Sequence, residues 1–189
     1  RSIVSKNNYH GIYGSSMMNP TITNNWIVDN GSSRYADGGG IYIESETGQN
    51  CIIANNTIAN NYHFGIHRGQ GANPVISNCI FWHNGSNPYT TGDFDGSFNN
   101  VSYCRLSASH VGNGNIISDP CFVNAGWQDY HLKQQSPCIG AGDPNTNIAS
   151  GETDIDGQPR KIGSCVSIGA DEYKIIDFYE YSIFANAWK

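Results

Sequence analysis

The feature that most constrains the fold of this 189-residue chain is an internal repeat. Three segments align without gaps, Pro20 to Asn30, Cys51 to Asn61 and Pro74 to Asn84, at offsets of 31 and 23 residues. A weaker fourth copy, Asn100 to Leu106, follows 25 residues later when Ile76 is matched to Val101 and Cys79 to Cys104. Ahead of the first three copies stands a second short apolar run opening on glycine: Gly11-Ile12-Tyr13, Gly40-Ile41-Tyr42 and Gly65-Ile66-His67. These runs are rich in Ile, Val, Thr and aromatics and are bounded by Asn and Gly, which makes them too short for helices and too regular for loops. One such unit cannot bury its apolar face alone, so successive copies must stack as parallel coils with strands about 4.8 Å apart. That stacking predicts one inward column of Ile22, Ile53, Ile76 and Val101 and another of Ile12, Ile41 and Ile66. Asn24, Asn55 and Asn78 share a repeat position and are expected to form a ladder of side-chain amides from coil to coil. The stretches 31–39 and 90–99 are expected to bulge outward as loops. The fold class is therefore all-β, a parallel solenoid of which about the last four coils are present.

Composition agrees with this and narrows the function. The chain has 22 Gly and 23 Asn, both poor helix formers suited to turns, and its 38% hydrophobic content is enough for a core. A net charge of −6 argues against nucleic acid and against an anionic membrane surface as partners. No apolar run approaches the roughly 20 residues of a membrane span, so membrane insertion is not expected. The first residues carry no signal-peptide pattern, and a start on Arg1 inside the repeat pattern predicts the C-terminal part of a longer protein. The sequence has no phosphate-binding loop, nucleophile elbow or zinc spacing, which disfavours phosphoryl-transfer, hydride-transfer and metal-hydrolase chemistry.

The repeat and its asparagine-rich corners over 31–106 resemble the right-handed parallel β-helix proteins of the pectate-lyase-like superfamily. The string that follows is similar to the C-terminal closure of many secreted bacterial β-helix proteins, among them those with a choice-of-anchor Q domain. It comprises Gly112 to Phe122, Asp129 to Leu132, Ser136 to Asp143, Asp154 to Arg160 and Ile168 to Tyr173. The resemblance implies an extracellular or cell-surface location and divides the chain into coils over 1–111, a closing cap over 112–173 and a tail over 174–189. A cap is physically required because the last coil would otherwise leave an open sheet edge. Asp154, Asp156, Gly157 and Arg160 suit a polar turn that ties it down. The competing reading of its acids is a calcium site of Asp143, Asp154, Asp156 and Asp171, although the spacing of a calcium loop is missing; no other cofactor is called for. In the tail, Asp177 to Glu180 reads as a capping box and Phe178, Tyr181, Ser182, Ala185 and Trp188 share a helical face, predicting a short amphipathic α-helix. It is similar to the helix of dockerin-like tails, without their calcium loop.

Six cysteines are an even number and point to an oxidising compartment. Cys79 and Cys104 occupy one repeat position on consecutive coils, close enough for a disulfide, and Cys121 and Cys138 are a second candidate pair within the cap. The competing reading is a buried stack of free thiols. For function, the outward neighbours of the Gly-Ile columns are Tyr13, Tyr42 and His67, an aromatic stripe suited to binding a polysaccharide or cell-surface glycan. Glu44, His67 and Arg68 are the candidate catalytic groups beside it, an acid, a base and a cation of the kind that uronate chemistry needs. Two functions follow. One is a structural or carbohydrate-binding extracellular module; the alternative is part of a polysaccharide lyase or glycoside hydrolase whose groove lies mainly on upstream coils.

Overall fold

Each coil is built by three-residue runs whose middle side chain points inward, separated by residues that turn the chain. The computed structural model describes residues 1–15, 19–34, 38–44, 51–85 and 92–173, and the predicted terminal helix over 174–189 lies outside them. The strands in chain order are β1 (Ile3–Ser5), β2 (Ile12–Gly14), β3 (Thr21–Thr23), β4 (Trp26–Val28), β5 (Ile41–Ile43), β6 (Ile52–Ala54), β7 (Thr57–Ala59), β8 (Phe64–Arg68), β9 (Val75–Ser77), β10 (Ile80–Trp82), β11 (Gly92–Asp95) and β12 (Val101–Ser102). They stack into three parallel sheets of four strands each: β1-β4-β7-β10, β2-β5-β8-β11 and β3-β6-β9-β12, here sheets A, B and C. The described residues thus form a parallel β-solenoid of about three turns, and their only helical element is one short 3-10 turn at Ala125–Trp127. No helix among the described residues is long and apolar enough to cross a membrane.

Strand register places both predicted columns as expected. Ile22 lies opposite Ile53, Ile53 opposite Ile76 and Ile76 opposite Val101, while Ile12, Ile41 and Ile66 are aligned in the second sheet and extended by Phe94. Sheet A adds a third column of Val4, Ile27, Ile58, Phe81 and Leu106, and the three columns meet in one apolar core. Residues 92–95, expected as loop, form β11 on β8 because Phe94 supplies the inward side chain opposite Ile66.

The corners explain the asparagines. Two sets of residues have a left-handed backbone: Lys6, Asp29, Asn60 and His83 between sheets A and B, and Asn24, Asn55, Asn78 and Tyr103 between sheets C and A. Asn and Asp tolerate this conformation better than other residues with a Cβ. The residue after each corner turns inward, and that residue carries the amide ladder. At the first corner Asn7, Asn30, Asn61 and Asn84 are linked by Nδ2-to-Oδ1 hydrogen bonds of 2.9, 3.1 and 2.9 Å. The Oδ1 of Asn30, Asn61 and Asn84 also accepts the backbone N–H of the preceding coil's Asn, as from Asn30 to Asn61 at 3.0 Å, and the Nδ2 of the same three also reaches a backbone carbonyl, as from Asn61 to Ile27 at 2.9 Å. At the other corner Asn25 bonds Asn56 in the same way at 3.0 Å. The ladder is therefore one residue further along than Asn24, Asn55 and Asn78. Those three hold the corner itself, and Asn24 and Asn78 bond to the cap.

Cys79 and Cys104 continue the second ladder as thiols. The Cys79 N–H points to Cys104 Sγ at 3.4 Å, and the Cys104 N–H finds the Asn115 amide oxygen at 2.9 Å. All six cysteines are free in the structure, in place of the bridges expected for Cys79 with Cys104 and Cys121 with Cys138. The reason at the stack is that each thiol donates to a carbonyl of its own coil, Ser77 and Ser102, at 3.2 Å. Burial pushes the Cys104 thiol well above its usual range and that of Cys138 up to about 12, so neither is a ready thiolate.

The cap lies elsewhere than expected. Asn115 and Ile116 do add a rung at the end of the stack, where Ile116 bridges Arg105. Most of the segment runs along the outer face of sheet A. That face is apolar, and Trp26, Val28, Ala59 and Ile80 are buried there against Phe122, Tyr130, Leu132, Ile168 and Ala170. Exposing such a face to water would cost more than leaving a short edge open. A hairpin of β13 (Phe122–Asn124) and β14 (Asp129–Leu132) begins this cover. The corners then anchor it: Asn24 donates to Glu152 at 2.9 Å, Asn78 accepts from the Asp143 N–H at 2.8 Å, and Asn60 donates to the Tyr130 hydroxyl at 2.8 Å.

Urea unfolding of single variants separates these roles. Ile53→Ala should cost about 2–5 kcal/mol as a core truncation, and Ile52→Ala, facing outward on the same strand, about 1 kcal/mol or less. Asn61→Ala should cost more than about 2 kcal/mol, because it orphans buried donors of Asn30 and the Ile27 carbonyl. Thiol titration in denaturant without reductant should find six reactive thiols per chain; four or fewer would show a bridge.

Candidate functional site

The outer face of sheet B carries the polar and aromatic side chains that the sequence placed next to the Gly-Ile columns. Glycine at the start of these strands is required by space: a Cβ on Gly40 would stand 2.4 Å from the Gly65 carbonyl oxygen, and one on Gly65 would stand 2.7 Å from that of Asp93. The close approach fixes the register of the following residues. Tyr13 lies opposite Tyr42, Tyr42 opposite His67 and His67 opposite Asp95, so one side chain from each of four coils stands in a line.

The rings use their faces on one another. Tyr42 and His67 are stacked at 4.4 Å and 11°, and Tyr13 and Tyr42 at 5.1 Å and 25°. His10 adds a tilted contact to Tyr42 at 4.9 Å. The column therefore presents ring edges and polar atoms outward, rather than a row of open faces for sugar stacking. His67 Nδ1 meets Asp95 Oδ2 at 2.7 Å, which fixes the ring and leaves Nε2 as the outward nitrogen. The Tyr42 hydroxyl donates to Glu44 Oε2 at 3.2 Å. The line thus offers phenols, an imidazole and two carboxylates, all capable of hydrogen bonding to hydroxyl groups. Tyr13 is the most open of them, 56% exposed.

Arg68 does not join this line. It follows His67 on β8 and so turns to the other face, where Nε donates to the Ala72 carbonyl and Nη1 to that of Ser97. The structure brings Glu44 and His67 to one surface with Tyr13 and Tyr42 and sends Arg68 away from it. Asp95 is the member that sequence reasoning missed. Gly92-Asp-Phe-Asp95 replaces the Gly-Ile pattern with Phe in the inward place, and matching Phe94 to Ile66 would have set Asp95 opposite His67.

The cap holds the second concentration of ionisable groups. Arg160 is fully buried and pairs with Glu172 at 2.9 Å, while its Nη2 donates to the carbonyls of Ser167 and Gly169. Asp154, also fully buried, accepts the N–H groups of Asp156 and Gln158 on one oxygen and that of Glu172 on the other, so it shapes the turn. Asp143 likewise caps its own turn through the Asn145 N–H. Of the four acids proposed for calcium, Asp154 and Asp143 are occupied by backbone donors. Asp156 and Asp171 instead meet a residue that sequence reasoning passed over, His131, with one donor atom from each lying within 4.8 Å of the others. The signal was present in Asp129-Tyr130-His131, since residues two apart on a strand share a face.

A family model described as right handed beta helix region matches residues 1–126. No curated protein and no solved structure matches the chain.

Proposed function

The chain belongs to the right-handed β-helix family, and on that premise we propose that it is a non-catalytic extracellular or cell-surface module that binds a glycan along the outer face of sheet B. The observation that carries this reading is the line of Tyr13, Tyr42, His67 and Asp95, with Glu44 beside it, repeated in register over four coils. A linear polysaccharide is itself a repeat of hydroxyl groups, and a solenoid face offers donors and acceptors along one direction at regular spacing. The carboxylates of Glu44 and Asp95 and the net charge of −6 favour a neutral polymer over a uronate chain, which would be repelled. The location outside the cell is supported by the similarity of the cap segment to closures of secreted bacterial proteins.

The lyase or hydrolase reading needs a cation beside the base to offset a substrate carboxylate. Arg68, the candidate for that role, is engaged by two backbone carbonyls instead. Binding without turnover is the reading that the site supports better.

Affinity electrophoresis through xylan, pectin, alginate and chondroitin tests it, with unsaturated products and new reducing ends followed in parallel. The chain should be retarded by the neutral polymer and release no product. Asp95→Asn and Tyr42→Ala should each weaken retention roughly tenfold, about 1.4 kcal/mol, with the unfolding midpoint little changed for Asp95→Asn. Equal retention of both variants would make the line a purely structural stack, and product release would move the assignment to a carbohydrate-active enzyme.

A further inference from the structure

Three segments of the cap, far apart in sequence, converge on one point above sheet A. His131 comes from β14, Asp156 from the turn shaped by Asp154, and Asp171 from the stretch that follows Ala170 on sheet A. One donor atom of each lies within 4.8 Å of the other two. The imidazole is held in place before any ligand arrives. Asp129 lies on the same face of β14 and meets His131 Nδ1 through Oδ1, and the edge of Trp26 packs against the ring at 4.9 Å. Nε2 is thereby aimed at Asp156 Oδ2, 2.9 Å away.

Asp171 adds a largely buried carboxylate at the same point. It is only 4% exposed, and its Oδ2 accepts the Leu132 N–H at 2.7 Å, while no donor among the described residues meets its Oδ1. Holding a largely buried carboxylate beside that of Asp156 is costly unless a positive charge is shared between them. The cap's buried cation, Arg160, is engaged by Glu172 and by two carbonyls. That leaves the His131 imidazole as the cationic partner in contact with Asp129 and Asp156, while the Arg1 guanidinium lies on the same turn, bonded to the Thr153 hydroxyl.

We propose that His131 Nε2, Asp156 and Asp171 form a binding site for a first-row divalent transition-metal ion, with zinc as the representative, and that Asp129 positions the histidine. The carboxylate-to-histidine contact is the arrangement that sets the tautomer of a metal-bound imidazole and raises its basicity. Two ligands each about 2.1 Å from one ion stand roughly 3.0 to 3.4 Å apart, so the His131–Asp156 pair needs little movement to take an ion in place of the bridging proton. The imidazole nitrogen argues for this class over calcium, which takes six to eight oxygens. The three ligands come from three segments with no short-range spacing, which is why no sequence motif announces the site. Its ion would clamp the hairpin, the 154–158 turn and the end of the described chain together over sheet A.

Titration of the metal-free chain with zinc, followed by calorimetry and by the thermal unfolding midpoint, tests the proposal. One zinc per chain should bind at this site and raise the midpoint. His131→Gln and Asp156→Asn, both at partly exposed positions, should each lose that ion and the rise while keeping the wild-type circular dichroism. Asp129→Asn should keep the stoichiometry and weaken affinity about 10–100-fold. Cobalt substituted for zinc should give d–d bands without thiolate charge transfer, which separates this site from the free cysteines. Absence of binding by the wild-type chain, retention of the ion in both ligand variants, thiolate bands with cobalt, or displacement of zinc by equimolar calcium would each overturn it.

Discussion

A left-handed corner turns the peptide plane so that the next N–H has no strand carbonyl opposite it, and a buried N–H without an acceptor is among the costlier faults a core can carry. In this solenoid the missing acceptor is the amide oxygen of an asparagine one coil further on. The same side chain returns its own N–H pair to the next amide and to a backbone carbonyl, so Asn7, Asn30, Asn61 and Asn84 form a continuous line in which every member satisfies its neighbour. The three-residue strands between corners are too short to hold register alone. With the ladders in place, the Ile columns stack and the outer face of sheet B keeps its line of side chains. Serial satisfaction also explains why cysteine can replace asparagine at 79 and 104: a sulfur accepts weakly, and its thiol still reaches a carbonyl.

The same corners decide where the cap goes. Asparagine in the left-handed position has its side chain on the outside, and Asn24, Asn60 and Asn78 offer amides to Glu152, Tyr130, Thr146 and Asp143. Together with the apolar outer face of sheet A they make a surface that one segment of the chain can cover over several coils. The cap therefore links rungs of the stack from the side, and buried Arg160, Asp154 and Glu172 hold its own turns. Removing one partner of that buried pair would leave an uncompensated charge in the cap.

Much of this is legible in the sequence where the repeat is regular. Ile22, Ile53, Ile76 and Val101 align by eye, and so do Tyr13, Tyr42 and His67, because period and side-chain alternation together fix both the column and its direction. Legibility fails where one residue type serves two roles. Adjacent asparagines such as Asn24-Asn25 and Asn55-Asn56 look interchangeable, yet the first has the left-handed backbone and the second the inward amide. It fails again where a rung keeps the geometry with different residues, as Phe94 and Asp95 do on β11, and where partners converge from distant segments, as His131, Asp156 and Asp171 do. Cysteines spaced by one coil invite a disulfide reading, but their thiols are already directed to the carbonyls of their own coils.

The sharpest check on the account is hydrogen exchange at the corners, since the claim is that their N–H groups are held by side-chain oxygens from coil to coil. Peptides spanning 22–30, 53–61 and 76–84 should exchange slowly and in one cooperative opening, with the amides of Asn30 and Asn61 as protected as the strands beside them, while the stretch 108–114 exchanges at once. If the corner amides exchange like open turns while the strands between them stay protected, the amide ladders do not hold the coils together, and the stack must depend on the apolar columns alone.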